Sequence, residues 1–323
     1  MEPKIPTSHY IMKIHAAAGK LPKCGTSFKI PPMTNPLTKL LLAALAFSLL
    51  STVALAQSTT QPSTIKVNPS ADTAVQALKD STRHGEWVMI DVPGTPRKIH
   101  TWIVYPERAE KAPVVVVIHE IFGMTDWVRA TTDALAAEGF IAVAPDLLSG
   151  KGPNGGNTDS FPGGGASDMT SGATSGIGAL TAEEDAQALD AVRDYALAQP
   201  SASGKSACIG FCWGGGTSFM YATSQPKLSA AVVCYGPPAK VDQQPKINCP
   251  VLGLYGGADT RISATVEPTK KTMSDLKKSY DPHIFDNAGH GFFRQQTGRG
   301  GANLKAAQQG WELAIMFLKK NLE

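Results

Sequence analysis

The sequence predicts an α/β fold: one mostly parallel sheet flanked by helices, within a single catalytic domain. Three observations predict it. From Glu86 onward, short apolar β-branched runs alternate with stretches of helical apolar spacing. One of the runs, Pro113 to Ile118 (PVVVVI), has no polar position, as a strand buried on both faces requires. Glycine-rich turns follow several of the runs, at the strand ends where open α/β sheets place their chemistry.

Taken in order, residues 71–82 read as a short helix. Residues 87–92 and 99–105 form a hairpin around Pro93-Gly94-Thr95-Pro96. The PVVVVI strand follows, then a helix over 126–138 stopped by Gly139, and a strand at 141–144. Residues 150–178 are rich in glycine and serine, and they show no apolar period. A segment of that length is either a mobile loop near a site or disordered. A helix resumes at 181–197, where Thr181 and Glu184 suit a capping box. Residues 207–210, 230–235, 251–255 and 280–285 read as strands. Residues 214–222, 264–278 and 302–320 read as the helices between and after them.

The amino-terminal residues read differently. Leu40 to Ala56 is an apolar run preceded by Lys39 and closed by Ala54-Leu55-Ala56. That is the pattern of a secretory signal; a membrane anchor would need about 20 apolar residues. The expected division is therefore an upstream extension over 1–32, a signal over 33–56, a flexible leader over 57–70 and the catalytic domain over 71–323. The mature protein is expected to be exported, periplasmic or secreted, with no stable membrane insertion. Residues 1–56 hold six lysines and one glutamate, so the formal charge of +3 falls to about −2 once they are removed. No basic block remains to track a phosphate backbone, which argues against nucleic acid as a partner. Cys208, Cys212, Cys234 and Cys249 have neither zinc-site nor disulfide-framework spacing. An exported location would still permit a Cys234–Cys249 bridge. No metal or cofactor is expected, and a monomer is.

Gly210-Phe211-Cys212-Trp213-Gly214-Gly215 follows a strand and opens a helix. This is the nucleophile-elbow pattern with cysteine in the serine position. The helix it opens directs its positive end at the sulfur and favours thiolate. Later come Gly256-Gly257-Ala258-Asp259 and Ala288-Gly289-His290-Gly291, each after its own strand. An aspartate after two glycines is often only a turn former. Nucleophile, acid and histidine in this order form a set, however: His290 to move the proton, Asp259 to fix its tautomer. His119-Glu120-Ile121-Phe122-Gly123 follows the PVVVVI strand, where one oxyanion-hole N–H is expected. The backbones of Ile121 and Trp213 are assigned that role. Glu120 should point towards the elbow, where a carboxylate could accept the thiol proton; alternatively it is a loop carboxylate or caps the next helix.

HEIFG, APDL, GFCWGG, GGAD and AGHGF together resemble the dienelactone hydrolase family over residues 86–320. The resemblance implies an α/β-hydrolase fold and attack by cysteine on an ester or lactone carbonyl, followed by hydrolysis of an acyl-enzyme. It also implies that Glu120 activates the thiol when substrate enters, and that Arg294 binds a substrate carboxylate. One departure stands out, since the family's second arginine after the fourth strand has no counterpart in residues 147–183. A general exported carboxylesterase or thioesterase on the same triad is the main alternative. A non-catalytic protein that kept the fold, or a redox sensor on Cys212, are the others.

Overall fold

The computed structural model describes residues 66–165 and 172–323. The extension and signal expected before residue 57, and residues 57–65 of the leader, lie outside the described residues. The remainder forms one eight-stranded sheet with helices on both faces. In chain order the strands are β1 (Gly85–Asp91), β2 (Lys98–Val104), β3 (Ala112–Ile118), β4 (Ile141–Pro145), β5 (Ala202–Phe211), β6 (Ala230–Cys234), β7 (Val251–Gly256) and β8 (Tyr280–Phe285). The main helices are α1 (Ala74–Asp80), α2 (Asp126–Ala137), α3 (Ala182–Leu197), α4 (Trp213–Ser224), α5 (Val266–Asp275) and α6 (Ala302–Leu322).

Spatially the order is β1-β2-β4-β3-β5-β6-β7-β8. The β1–β2 and β2–β4 pairings are antiparallel and the rest parallel. From β3 the chain first runs outward to β4, then crosses back to lay β5 on the other side of β3. This reversal opens a crevice beyond the C-terminal ends of β3 and β5, where ligands sit in sheets of this kind.

The continuous apolar run of β3 has its reason in the packing. Val115 and Val117 join the core that holds Trp127 of α2 and Trp311 of α6. Val114, Val116 and Ile118 join the opposite core, with Leu189 and Val192 of α3. Period-two alternation sends successive side chains to opposite faces, and both faces are covered, so no position tolerates a polar residue.

The structure departs from the expected elements in four places. Strand β5 begins at Ala202, ahead of the expected 207, because its polar first half pairs with β3 through Ala112 and a register shift. The helix expected over 264–278 is a single turn at Thr260–Ser263 followed by α5. Pro268 sits in the first turn of α5, where its missing N–H costs nothing. The glycine-rich stretch is not loose in its described parts: Asp146 accepts hydrogen bonds from both the backbone N–H and the hydroxyl of the buried Thr158 (2.9 and 2.8 Å). Residues 166–171 lie outside the described residues. Finally, the described end of the expected leader is tied down. Trp127 Nε1 donates to the Pro69 carbonyl at 2.9 Å, and Gln296 Nε2 to that of Asn68 at 2.8 Å. Among the described residues no helix is long and apolar enough to cross a membrane, and Cys234 and Cys249 are both free.

Candidate active site

Cys212 stands between the end of β5 and the start of α4 with φ of 57°, a left-handed conformation that costs a non-glycine residue energy. The strain is held from both sides. The Cys212 N–H donates to the Cys234 carbonyl, and the Cys212 carbonyl accepts from Gly215 and Gly216. A Cβ at Gly210 would run into the Gly214 carbonyl, and one at Gly214 into the carbonyls of Ile118 and His119. Only glycine at these positions lets strand, turn and helix approach closely enough to form the elbow.

Two further loops meet the sulfur. After β7, Gly256 to Asp259 turns back so that Asp259 Oδ2 lies 2.6 Å from His290 Nδ1. After β8, His290 places Nε2 3.0 Å from Cys212 Sγ. With Nδ1–H donating to the carboxylate, Nε2 is the lone-pair nitrogen facing the thiol. From the loop after β3 the Ile121 N–H reaches the sulfur, as does that of Trp213 from the elbow. Sulfur, imidazole and carboxylate therefore stand in a line, with two backbone donors beside the sulfur.

The expectation that the helix end favours thiolate is corrected by the surroundings. Burial pushes the Cys212 thiol up to about 11, and the nearby Glu120 carboxylate pushes the same way. The two N–H groups and Arg261 pull it down, but desolvation dominates. The resting sulfur is a protonated thiol.

Glu120 lies beside the elbow, yet its carboxylate is bonded elsewhere. Arg294 Nε donates to Glu120 Oε2 at 2.7 Å, and both side chains are almost fully buried (7% and 4% exposed). Burial raises the Glu120 carboxyl above its ordinary range, while Arg294 pulls it down. Arg294 also lies 4.8 Å above the Phe122 ring. The predicted carboxylate anchor is thus already paired within the protein.

Three neighbours were not singled out from sequence. His119 is fully buried; its Nδ1–H donates to the Glu120 carbonyl (2.7 Å) and its Nε2 accepts from the Leu147 N–H (3.1 Å). Burial lowers its pKa and keeps it neutral, so it acts as a brace for the peptide leading to Ile121. Tyr235, at φ 41°, is buried beside Glu120 and stands edge-on to the His290 ring, 5.1 Å away. Arg261 is exposed at the mouth of the cavity. The cavity measures about 520 Å³ and brings together Cys212, His290, Glu120, Arg294, Tyr235 and Arg261. Asp259 is reached only through His290. Among the described residues no cluster of His, Cys, Asp and Glu could hold a metal ion.

The model of the dienelactone hydrolase family matches residues 99–322. A provisionally named carboxymethylenebutenolidase of Salmonella typhimurium is 30% identical, over 79% of this chain and 94% of its own. Its counterpart of the same provisional name in Saccharolobus solfataricus is 32% identical, over 69% and 94%. The crystal structure of a provisionally named dienelactone hydrolase from Klebsiella pneumoniae superposes with a TM-score of 0.61. It is 26% identical and covers 72% of this chain and 98% of its own.

Proposed function

The chain belongs to the dienelactone hydrolase family, and on that premise we propose that Cys212, His290 and Asp259 hydrolyse an ester or lactone by way of an acyl-enzyme. The observation that carries the proposal is the line from Cys212 Sγ through His290 to Asp259, with two backbone N–H groups at the sulfur. The thiol proton passes to His290 Nε2 as sulfur attacks the carbonyl carbon. The carbonyl oxygen takes the negative charge and is met by the N–H groups of Ile121 and Trp213. When the carbon–oxygen bond breaks, the alkoxide leaves with the proton from Nε2. A water then gives its proton to Nε2 and attacks the thioester; the departing sulfur recovers that proton. Asp259 holds the imidazolium through both halves.

A thiol near 11 needs help in the first step, and its nearness to the Glu120 carboxylate supports that residue as the helper. A substrate carboxylate competing for Arg294 would free Glu120 to receive the thiol proton first and pass it to His290 Nε2, from which it reaches the leaving alkoxide as above. Arg261 supplies a second cation at the mouth, where an anionic substrate first arrives. These features favour ester or lactone substrates that carry a carboxylate over neutral esters. Peptides suit the site poorly, because a tetrahedral adduct with an amide expels sulfur before nitrogen. The protein is also proposed to be exported behind a signal ending at Ala56, which mass measurement of the mature amino terminus tests.

The deciding experiment compares native protein with Cys212→Ala on dienelactone and on neutral p-nitrophenyl esters, alongside iodoacetamide labelling with and without a lactone analogue. The expected outcome is loss of at least about a thousandfold in Cys212→Ala. A lactone analogue should also protect Cys212 from alkylation. Full turnover in Cys212→Ala would end the proposal. Equal kcat/KM on anionic and neutral esters would favour the general carboxylesterase reading.

A further inference from the structure

A second cavity, of about 580 Å³, adjoins the first and takes no part in the steps above. Its floor is one face of α4: Trp213, Thr217 and Met220 recur at helical spacing and all are partly exposed. One wall is the matching stripe of α3, Ala182, Ala186 and Leu189. Pro237 and Pro238, after β6, form the other. From Trp213 to Ser224 the groove follows α4 for about 16 Å at 1.5 Å per residue. Charged groups are confined to Glu183, Asp185 and Lys240, and the lining is otherwise mostly apolar or neutral.

Trp213 and Pro237 line both cavities. Trp213 follows the nucleophile directly, and its ring lies 5.5 Å from that of His119, nearly parallel to it. The indole is therefore the partition between the place where an ester carbonyl would sit and an apolar trough leading away from it. A partly exposed apolar stripe on the nucleophile helix, sharing Trp213 and Pro237 with the reaction cavity, is suited to taking a substrate chain out of water while the carbonyl is held at Cys212.

We propose that the groove along α4 binds an extended apolar arm of the substrate, making this a hydrolase of amphiphilic esters or lactones with a chain of several carbons. The inference rests on the hydrolase reading above and adds the substrate class. The arm enters past Trp213 and Pro237 and lies across Thr217 and Met220 against Ala186. Chains that extend the fit contribute to kcat/KM; chains longer than the groove add nothing more.

The test measures kcat/KM for p-nitrophenyl acyl esters from acetate to dodecanoate, and for a series of alkyl acetates, so that either arm of the ester is sampled. In one series, kcat/KM is expected to rise roughly threefold to fourfold per methylene before levelling off. Ala186→Trp, which fills the groove from a partly exposed helix position, should cut the octanoate-to-acetate ratio (or its alkyl counterpart) at least tenfold. Met220→Gln, close in volume but polar, should cut it less, and serves if the tryptophan variant fails to fold. Acetate turnover with no chain-length dependence in either series would overturn this inference alone. A ratio unchanged in both variants would do the same, assigning the groove to another occupant such as a helix of a second copy. No turnover by the native protein of these esters or of dienelactone would overturn the hydrolase reading and this one together.

Discussion

The two carboxylates near the sulfur are held in opposite ways. Asp259 comes from the turn after β7 and touches only the imidazole among the reacting groups, at 2.6 Å; it already stands where the reaction needs it. Glu120, from the loop after β3, is locked to Arg294 174 residues along the chain and buried with it. One arm of the site is assembled at rest and the other is latched. Burial and the latched carboxylate hold the thiol up near 11. The contact that orients His290 and the pair that holds Glu120 thus come from different loops.

The largest effect should come from breaking the assembled arm. In Asp259→Asn the amide can present its N–H₂ to His290 Nδ1 and so favour the wrong tautomer, with Nε2 protonated against the thiol. The expected loss in kcat is on the order of 10⁴, with stability little changed; steady-state kinetics and a melting curve check both. A kcat within tenfold of the native value would mean that the imidazole is not oriented by this contact.

Breaking the latch should instead be felt in the fold. Arg294→Met leaves the Glu120 carboxylate buried without its partner, which typically costs about 3–5 kcal/mol. Adding Glu120→Leu removes the orphaned charge, so the double variant should recover most of the loss in urea unfolding. If the double variant is as unstable as the single one, the pair matters for packing and not for charge.

A smaller effect sharpens the comparison. Glu120→Gln removes a negative charge that raises the thiol pKa, so the folded-state value should fall and the thiolate fraction at pH 8 should rise. Iodoacetamide should alkylate Cys212 in the resting variant up to about tenfold faster, one pKa unit being tenfold in thiolate. In both proteins the alkylation rate should still climb with pH, since the sulfur titrates far above neutrality. Slower labelling in the variant would show that Glu120 already serves as the base at rest.

Much of this was legible in the chain. β3 declared itself because a strand covered on both faces admits only apolar residues, and the elbow because its close approaches admit only glycine at 210 and 214. Cys212, His290 and Asp259 could be ordered because each follows its own strand. The first half of β5, Ala-Ser-Gly-Lys-Ser, could not be read, since its pairing comes from the neighbouring strand and not from its own side chains. The Glu120–Arg294 pair was equally silent: both residues were picked out, but nothing local says that two groups so distant in sequence neutralise each other. His119 stood in plain view beside Glu120, where a fully buried neutral histidine looks no different from an exposed one. Arg261 stands two residues beyond Asp259 and is the missed signal within reach. Its exposure at the mouth became meaningful only once the turn after β7 was seen to face the sulfur.

Residues 67–71 carry a practical consequence. Their carbonyls accept from Trp127 and Gln296, and the Ala71 N–H donates to the carbonyl of Arg294 itself. The first described stretch of the chain is thus stitched to the residue that restrains the active-site carboxylate. A purification tag ending before Lys66 leaves those stitches whole. A protease cut at Thr73 would undo them and loosen the latch, some 140 residues away from the sulfur in sequence.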